Sequence, residues 1–299
     1  MKTLLLTVAT IIAAFSGLYA QNTITKNYKL NKITSISAGF TYDIKVSKGN
    51  SDKVVITAPE RYAKYIKVSF SSGHLKLYFD DSFGNRRYDH KYNDEKISVT
   101  LEMSRIDYID LSGAARFSSN DTFITNELKL DLSGAASIRP LNISGNSLKL
   151  DLSGASSATL NGNFDLIKGD ISGAANMLLN VNSKETDIEI SGASNLKYNG
   201  DVKRNITLDN SGASRSTVVG NGSQVIISCS GASNADTRGF KAIDVNVEVS
   251  GASHASVYSS KNLTVETSGC SKITYYGNPN NIYDKSDNKT IINGDKYKK

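Results

Sequence analysis

The stretch LKLDLSGA occupies residues 128–135 and recurs, letter for letter, at residues 148–155. Its first half alternates Leu128, Leu130 and Leu132 with Lys129 and Asp131, the two-residue period of a strand with one buried face. Ser-Gly-Ala then breaks the alternation with three small residues. Outward from this pair, the tripeptide begins again at Ser112, Ser172, Ser191, Ser211, Ser230 and Ser250, and a variant, Ser-Gly-Cys, begins at Ser268. Successive copies are 18 to 21 residues apart. A fixed period near 20 is the signature of stacked repeats, each burying its apolar face against its neighbours.

Alignment on the tripeptide sorts the preceding residues into columns. One position before the serine stand Leu111, Leu132, Leu152, Ile171, Ile190, Asn210, Cys229, Val249 and Thr267. Three positions before stand Ile109, Leu130, Leu150, Gly169, Ile188, Leu208, Ile227, Val247 and Val265. Between these mainly apolar columns runs a mainly acidic one: Asp110, Asp131, Asp151, Asp170, Glu189, Asp209, Ser228, Glu248 and Glu266. After each tripeptide a second short strand follows, as at Ile138 or residues 196–198. Turn signals come next at Asn161-Gly162, Asn199-Gly200, Gly220-Asn221-Gly222 and Gly277. A leucine-rich repeat of similar length needs a helical half and a fixed Asn or Cys, and neither is present. The pattern predicts an all-β fold, a single-stranded parallel β-helix (a solenoid) with about 20 residues per rung. Nine rungs spaced by about 4.8 Å make a rod roughly 40 Å long.

The tripeptide reads as a structural corner. Gly113, Gly134, Gly154, Gly173, Gly192, Gly212, Gly231, Gly251 and Gly269 are the residues expected at φ > 0, where stacked backbones approach closely. The serine hydroxyls are expected to bond along the stack. Ninefold repetition favours architecture over chemistry, because a catalytic serine is needed once.

Residues 1–20 read as a signal peptide: Lys2, an apolar run over residues 4–14, and a cleavage region at residues 17–20. The run is shorter than the roughly 20 apolar residues of a transmembrane span. No cysteine follows it, which disfavours a lipid anchor. The chain is therefore expected to be exported without a membrane anchor of its own, to the periplasm, the outer surface or the medium. Residues 21–107 are expected to form irregular first rungs and a cap of the same domain. They contain strands at 36–49, 53–58 and 74–79, a helical turn within 59–66, and a charged, tyrosine-bearing insertion at 80–96. Residues 108–277 hold the regular repeats, and residues 278–299 a polar C-terminal tail.

Composition narrows the chemistry. Among 299 residues, 39% are hydrophobic and 21% charged, which suits a globular chain. Two cysteines exclude a disulfide-rich scaffold and a Cys₄ zinc site, and three histidines disfavour a His-based metal centre. Cys229 and Cys270 fall in different columns two rungs apart and are expected to be unpaired thiols. A net charge of +6 is too dilute for a nucleic-acid binder, and the only short basic cluster, Lys296, Lys298 and Lys299, reads as a solvated terminus. No nucleophile elbow, phosphate loop, zinc-protease motif or EF-hand loop is present, so no catalytic or cofactor-binding residue and no cofactor is assigned.

Two groups of residues merit attention as sites. Asp110, Asp131, Asp151 and Asp170 should stack about 4.8 Å apart and repel one another by roughly 0.9 kcal/mol per pair in water. Lys129, Lys149 and Lys168, two residues earlier, are placed to neutralise them as a solvated lattice. A divalent cation such as Ca²⁺ held by the four aspartates is the functional alternative, and a polysaccharide-cleaving carboxylate pair a third. In the second group, Asn176, Asn195 and Asn234 share one column with Arg116, Arg215, His254 and Lys272. Tyr198, Tyr258, Tyr275 and Tyr276 cluster in the second strand and its turn. Polar ladders with tyrosines suit a glycan or a partner surface.

The iterated Ser-Gly-Ala, the opening FTYDIKVSKGNSDKVVITAPE (residues 40–60) and the closing KITYYGNP (residues 272–279) resemble one family. It is the Bacteroidetes family named putative auto-transporter adhesin, head GIN domain, and the resemblance spans roughly residues 33–280. It implies a right-handed parallel β-helix, export and adhesion, and no catalytic site. The chain departs from the family at the position after Ser-Gly-Ala, where Ala or Ser replaces a frequent Gly. The expected function is that of an exported non-catalytic surface or adhesion module, presenting a repetitive face to glycans or cell-surface proteins, with homo-oligomers a further option. An exported polysaccharide lyase or hydrolase on the same scaffold is the alternative.

Overall fold

The computed structural model describes residues 9–11, 23–51, 53–80, 96–286 and 291–297. Of the expected signal peptide only Ala9–Ile11 is described, as a short strand antiparallel to Thr23–Lys29. The insertion at 80–96 lies outside the described residues except at its two ends.

The described chain is almost entirely strand, wound into a parallel β-solenoid of about nine turns with a repeat near 20 residues. Alternation builds it. Leu128 pairs in register with Leu148, then Ile167, Thr186, Ile206, Val225, Val245 and Leu263, one residue per rung, and all are buried. Pairing side by side along the axis lets each rung seal the apolar face of the next. The strands are longer than sequence suggests. Ser157–Ile171 and Asn176–Ile190 each run from one corner to the next, and the expected turn at Asn161-Gly162 is a bend inside a continuous ladder, with Gly162 opposite Val181. One polar residue in the apolar column, Asn210, is fully buried, where its amide donates to Ser216 Oγ (2.9 Å) and the Asn234 carbonyl (3.3 Å). Partners of this kind remove the penalty of burial.

The nine corner glycines all have φ between 65° and 72°. Each corner carbonyl accepts a hydrogen bond of 2.7–2.8 Å from the residue after the next corner's glycine, as Ala155 N–H does to Gly134 O. A Cβ on any of these glycines would lie 2.6–3.0 Å from the carbonyl oxygen of the corner before it. The corners therefore need glycine twice, for the dihedral and for the space. The serine hydroxyls bond along the stack by reaching a backbone carbonyl one rung earlier rather than each other: Ser153 to Leu132 (3.4 Å), Ser250 to Cys229 (3.3 Å).

At the N-terminal end the order of rungs departs from the order of the chain. Ser35–Ala38 and Tyr42–Lys48 lie beneath Tyr108–Leu111 and Arg116–Ser119, and the later strands His74–Phe79 and Ile97–Met103 lie beneath them in turn. The segment read as one strand over 36–49 is thus two strands around a tenth corner. Phe40 holds that corner at φ 60°, and its carbonyl accepts from Ala114 N–H at 2.7 Å. Its ring stacks on Phe79 (centroids 4.2 Å apart, 11° between planes), while Tyr62 meets both edge-on. Antiparallel strands then close the sheets. Ile66–Ser71 pairs His74–Phe79, Lys53–Pro59 pairs Ile97–Met103, and Thr23–Lys29 pairs Lys53–Pro59. The expected helical turn is the 3₁₀ segment Glu60–Tyr62. Such strands cover the open edges that a parallel stack exposes at its end. At the other end Asn281–Asp284 and Ile291–Asn293, within the expected tail, continue the stack.

Candidate functional site

The acidic column forms in register. Asp110, Asp131, Asp151 and Asp170 are consecutive partners, and Glu189, Asp209, Ser228, Glu248 and Glu266 extend the line. Lys129 Nζ lies 2.8 Å from Asp131, and the Tyr108 phenol donates to the same carboxylate at 2.7 Å. Burial first, then that hydrogen bond and the charges of Asp110 and Asp131, push the Tyr108 phenol well above its usual range. Lys149 departs from expectation, reaching diagonally to Glu127 (3.1 Å) rather than to Asp151. The carboxylates stand in single file. Among the described residues no group of three His, Cys, Asp or Glu side chains is arranged to hold a metal ion. A groove of about 230 Å³ is lined by Asp170, Glu189 and Asp209 together with the corner serines Ser172, Ser191 and Ser211.

Asparagines form a second ladder, of which the sequence singles out Asn161 and Asn199, as turn residues. The amide of Asn161 donates to Asn142, Asn180 to Asn161 and Asn199 to Asn180, each at 2.9 Å. In the column that sequence did single out, Asn195 donates to Asn176 at 3.3 Å, and Arg215, Asn234, His254 and Lys272 follow on successive rungs.

A cleft of about 810 Å³ lies at the C-terminal end. Arg238 and Lys241 reach it from the bend of Asn234–Val249, and Tyr258 from His254–Thr267. Along Lys272–Tyr276 alternation turns Lys272, Thr274 and Tyr276 into the cleft, while Ile273 is buried and Tyr275 packs on the core. Ile292, Gly294 and Asp295 form the far wall. Lys241 Nζ sits 3.8 Å from the centroid of the Tyr258 ring. Arg238 pairs with Asp236 at 2.9 Å and hydrogen-bonds Tyr276. Asp295 accepts the Gly277 N–H at 2.8 Å. Beside Lys272 on the neighbouring rung, His254 has its pKa lowered, by burial above all and then by the Lys272 charge, so the imidazole is neutral at pH 7.

Of the four tyrosines expected to cluster, the structure brings Tyr258 and Tyr276 together. Tyr198 departs from that expectation. It is fully buried, in the inward column of Leu179, with its hydroxyl 3.0 Å from Ser183 Oγ. Arg238, Lys241 and Asp295 were not found from sequence. The first two sit where the bend interrupts the alternation, and Asp295 arrives from a segment outside the repeat. Both cysteines are free, Cys229 buried and Cys270 exposed. Among the described residues no helix is long and apolar enough to cross a membrane.

The family described as "Putative auto-transporter adhesin, head GIN domain" matches residues 32–180 and 170–279. Similar solved structures include a putative adhesin from Parabacteroides distasonis, at 17% identity and TM-score 0.48, covering 90% of this chain and 95% of that one. Another is a putative lipid binding protein from the same organism, at 14% identity and TM-score 0.48, covering 90% and 96%. A putative adhesin from Bacteroides fragilis has 15% identity and TM-score 0.47, covering 91% and 95%. No curated protein matches the chain.

Proposed function

The chain belongs to the auto-transporter adhesin head GIN domain family, and from that premise we propose that it is an exported, non-catalytic adhesion module whose rod displays repeated polar contacts to glycans or surface proteins. The observation that carries this reading is the in-register stack. Carboxylates recur on consecutive rungs from Asp110 to Asp209, and asparagine amides on the four rungs from Asn142 to Asn199, so an extended partner meets the same chemistry again and again. Modest contacts on one rigid body add by effective concentration and need no deep pocket. The same repetition leaves no one carboxylate pair distinguished from its neighbours, which weighs against a glycosidase. Export rests on the pattern of residues 1–20.

Beads coated with the protein should adhere saturably to cells or immobilised glycans, and beads should bind more tightly than the free chain. Mass spectrometry of the protein recovered from its native host should place the N-terminus at Gln21. Turnover of an acidic polysaccharide that is lost on Asp151→Asn would replace adhesion with the enzyme reading.

A further inference from the structure

We propose that the C-terminal cleft binds a carboxylated sugar, a uronic acid or a sialic acid within a glycan chain. The biological setting rests on the adhesion reading above, and the chemistry rests on the cleft. Arg238, Lys241 and Lys272 bring three cations to it, against the carboxylates of Asp295 and of Asp236, the partner of Arg238. Among the described groups at the cleft, cations outnumber carboxylates by one. That balance matches a ligand carrying isolated carboxylates. A polyphosphate or nucleic acid would set its second and third charges against Asp295.

The lysines are not neutralised by a carboxylate. Among the described residues neither Lys241 nor Lys272 has a carboxylate within 4.0 Å. Lys241 is instead placed over the Tyr258 ring, a contact that orients an ammonium group while keeping its charge for a ligand. A sugar also needs partners for its hydroxyls and its apolar ring face. Thr274 supplies a hydroxyl for hydrogen bonds to the sugar, and Tyr276 supplies a ring with a polar edge. Size agrees as well. The cleft takes residues from four successive strands of the stack, about 14 Å from first to last. Its volume of about 810 Å³ lies within the range of pockets for ligands much larger than a single small anion.

The test is calorimetric titration of the purified full chain with trigalacturonate, with its methyl ester, with 3′-sialyllactose and with inorganic tripolyphosphate. At least one of the two acidic sugars should bind. Esterification, Lys272→Gln and Lys241→Gln should each weaken that binding tenfold or more with an unchanged denaturation midpoint, and tripolyphosphate should not compete. Equal affinity for acid and ester, unaltered binding in both lysine variants, tighter binding of tripolyphosphate, or binding of neither sugar would overturn the assignment. Adhesion of coated beads separates this from the parent reading. Adhesion without sugar binding removes the cleft assignment and leaves adhesion standing. Sugar binding without adhesion leaves the cleft and removes adhesion.

Discussion

Phe40 and the nine corner glycines occupy the same place in successive turns and share one backbone conformation, yet only Phe40 carries a side chain. The difference lies in what stands beneath. Below each glycine is the carbonyl of the previous corner, within 2.6–3.0 Å of where a Cβ would be. Beneath Phe40 the strand His74–Phe79 delivers an aromatic ring instead, and the two rings stack. The dihedral alone is therefore affordable to a bulky residue; the stack is what forbids it. The Phe40 corner uses that freedom to build an aromatic cluster of Phe40, Phe79, Tyr62 and Tyr65.

The largest effect should come from putting a side chain where the stack forbids one. Gly154→Val or Gly192→Val should lose about 3–5 kcal/mol, read from denaturant midpoints, since dihedral strain and a backbone clash add. A loss no larger than that of a surface substitution would break the comparison at its root. Next, Phe40→Ala should cost about 2 kcal/mol through the lost ring contacts. Phe40→Gly should recover about 1 kcal/mol of that, the left-handed penalty without a clash. Equal stabilities for the Ala and Gly variants would show that position 40 is not held at positive φ in solution.

A third measurement asks whether the rungs are as sealed as the glycine stack implies. Burial raises the Cys229 thiol from 9.0 to about 11. Below pH 9 the thiol is protonated in both states and pH has no effect through it. Between pH 9 and 11 the unfolded chain loses its proton first, so stability falls as pH rises, by about 1 kcal/mol at pH 10. Cys229→Ala should flatten that slope. A thiol reagent should label Cys270 at once and Cys229 only on unfolding. The smallest effect belongs to the asparagine ladder. Asn180, bonded on both sides, should lose about 1 kcal/mol on change to Ala, and Asn195, with one long bond, about 0.5 kcal/mol.

How much of this was legible follows from the same contrast. Where each rung repeats the one before, a residue's environment is written a period away. The partnership of Asp110, Asp131, Asp151 and Asp170 could be read from spacing alone. The same rule, applied to Tyr198, puts it over Leu179 and hence inside, a signal present in the sequence and missed. Lys149 was misplaced because a flexible side chain can choose between Asp151 on its own strand and Glu127 one rung back. The tenth corner was hidden because Gly39 is one residue out of step with the Ser-Gly-Ala glycines, and its rung is stacked out of chain order. The cleft was illegible for a different reason. Its far wall comes from residues 292–295, outside the repeat, and no period connects them to Arg238.

The corner ladder also bears on how such a rod changes length. Every regular corner makes the same bond to the corner below, so the corners themselves do not fix a rung's place in the order. Removing residues 153–171 would set Gly173 over Gly134 in the same relation that Gly154 now holds. Duplicating them would lengthen the rod by one turn. The corner at Phe40 resists such editing, because its ring is committed to the stack on Phe79 from the strand beneath. A gain or loss of turns should thus be tolerated best among the glycine corners, which makes the length of the rod an adjustable trait and the Phe40 corner a fixed one.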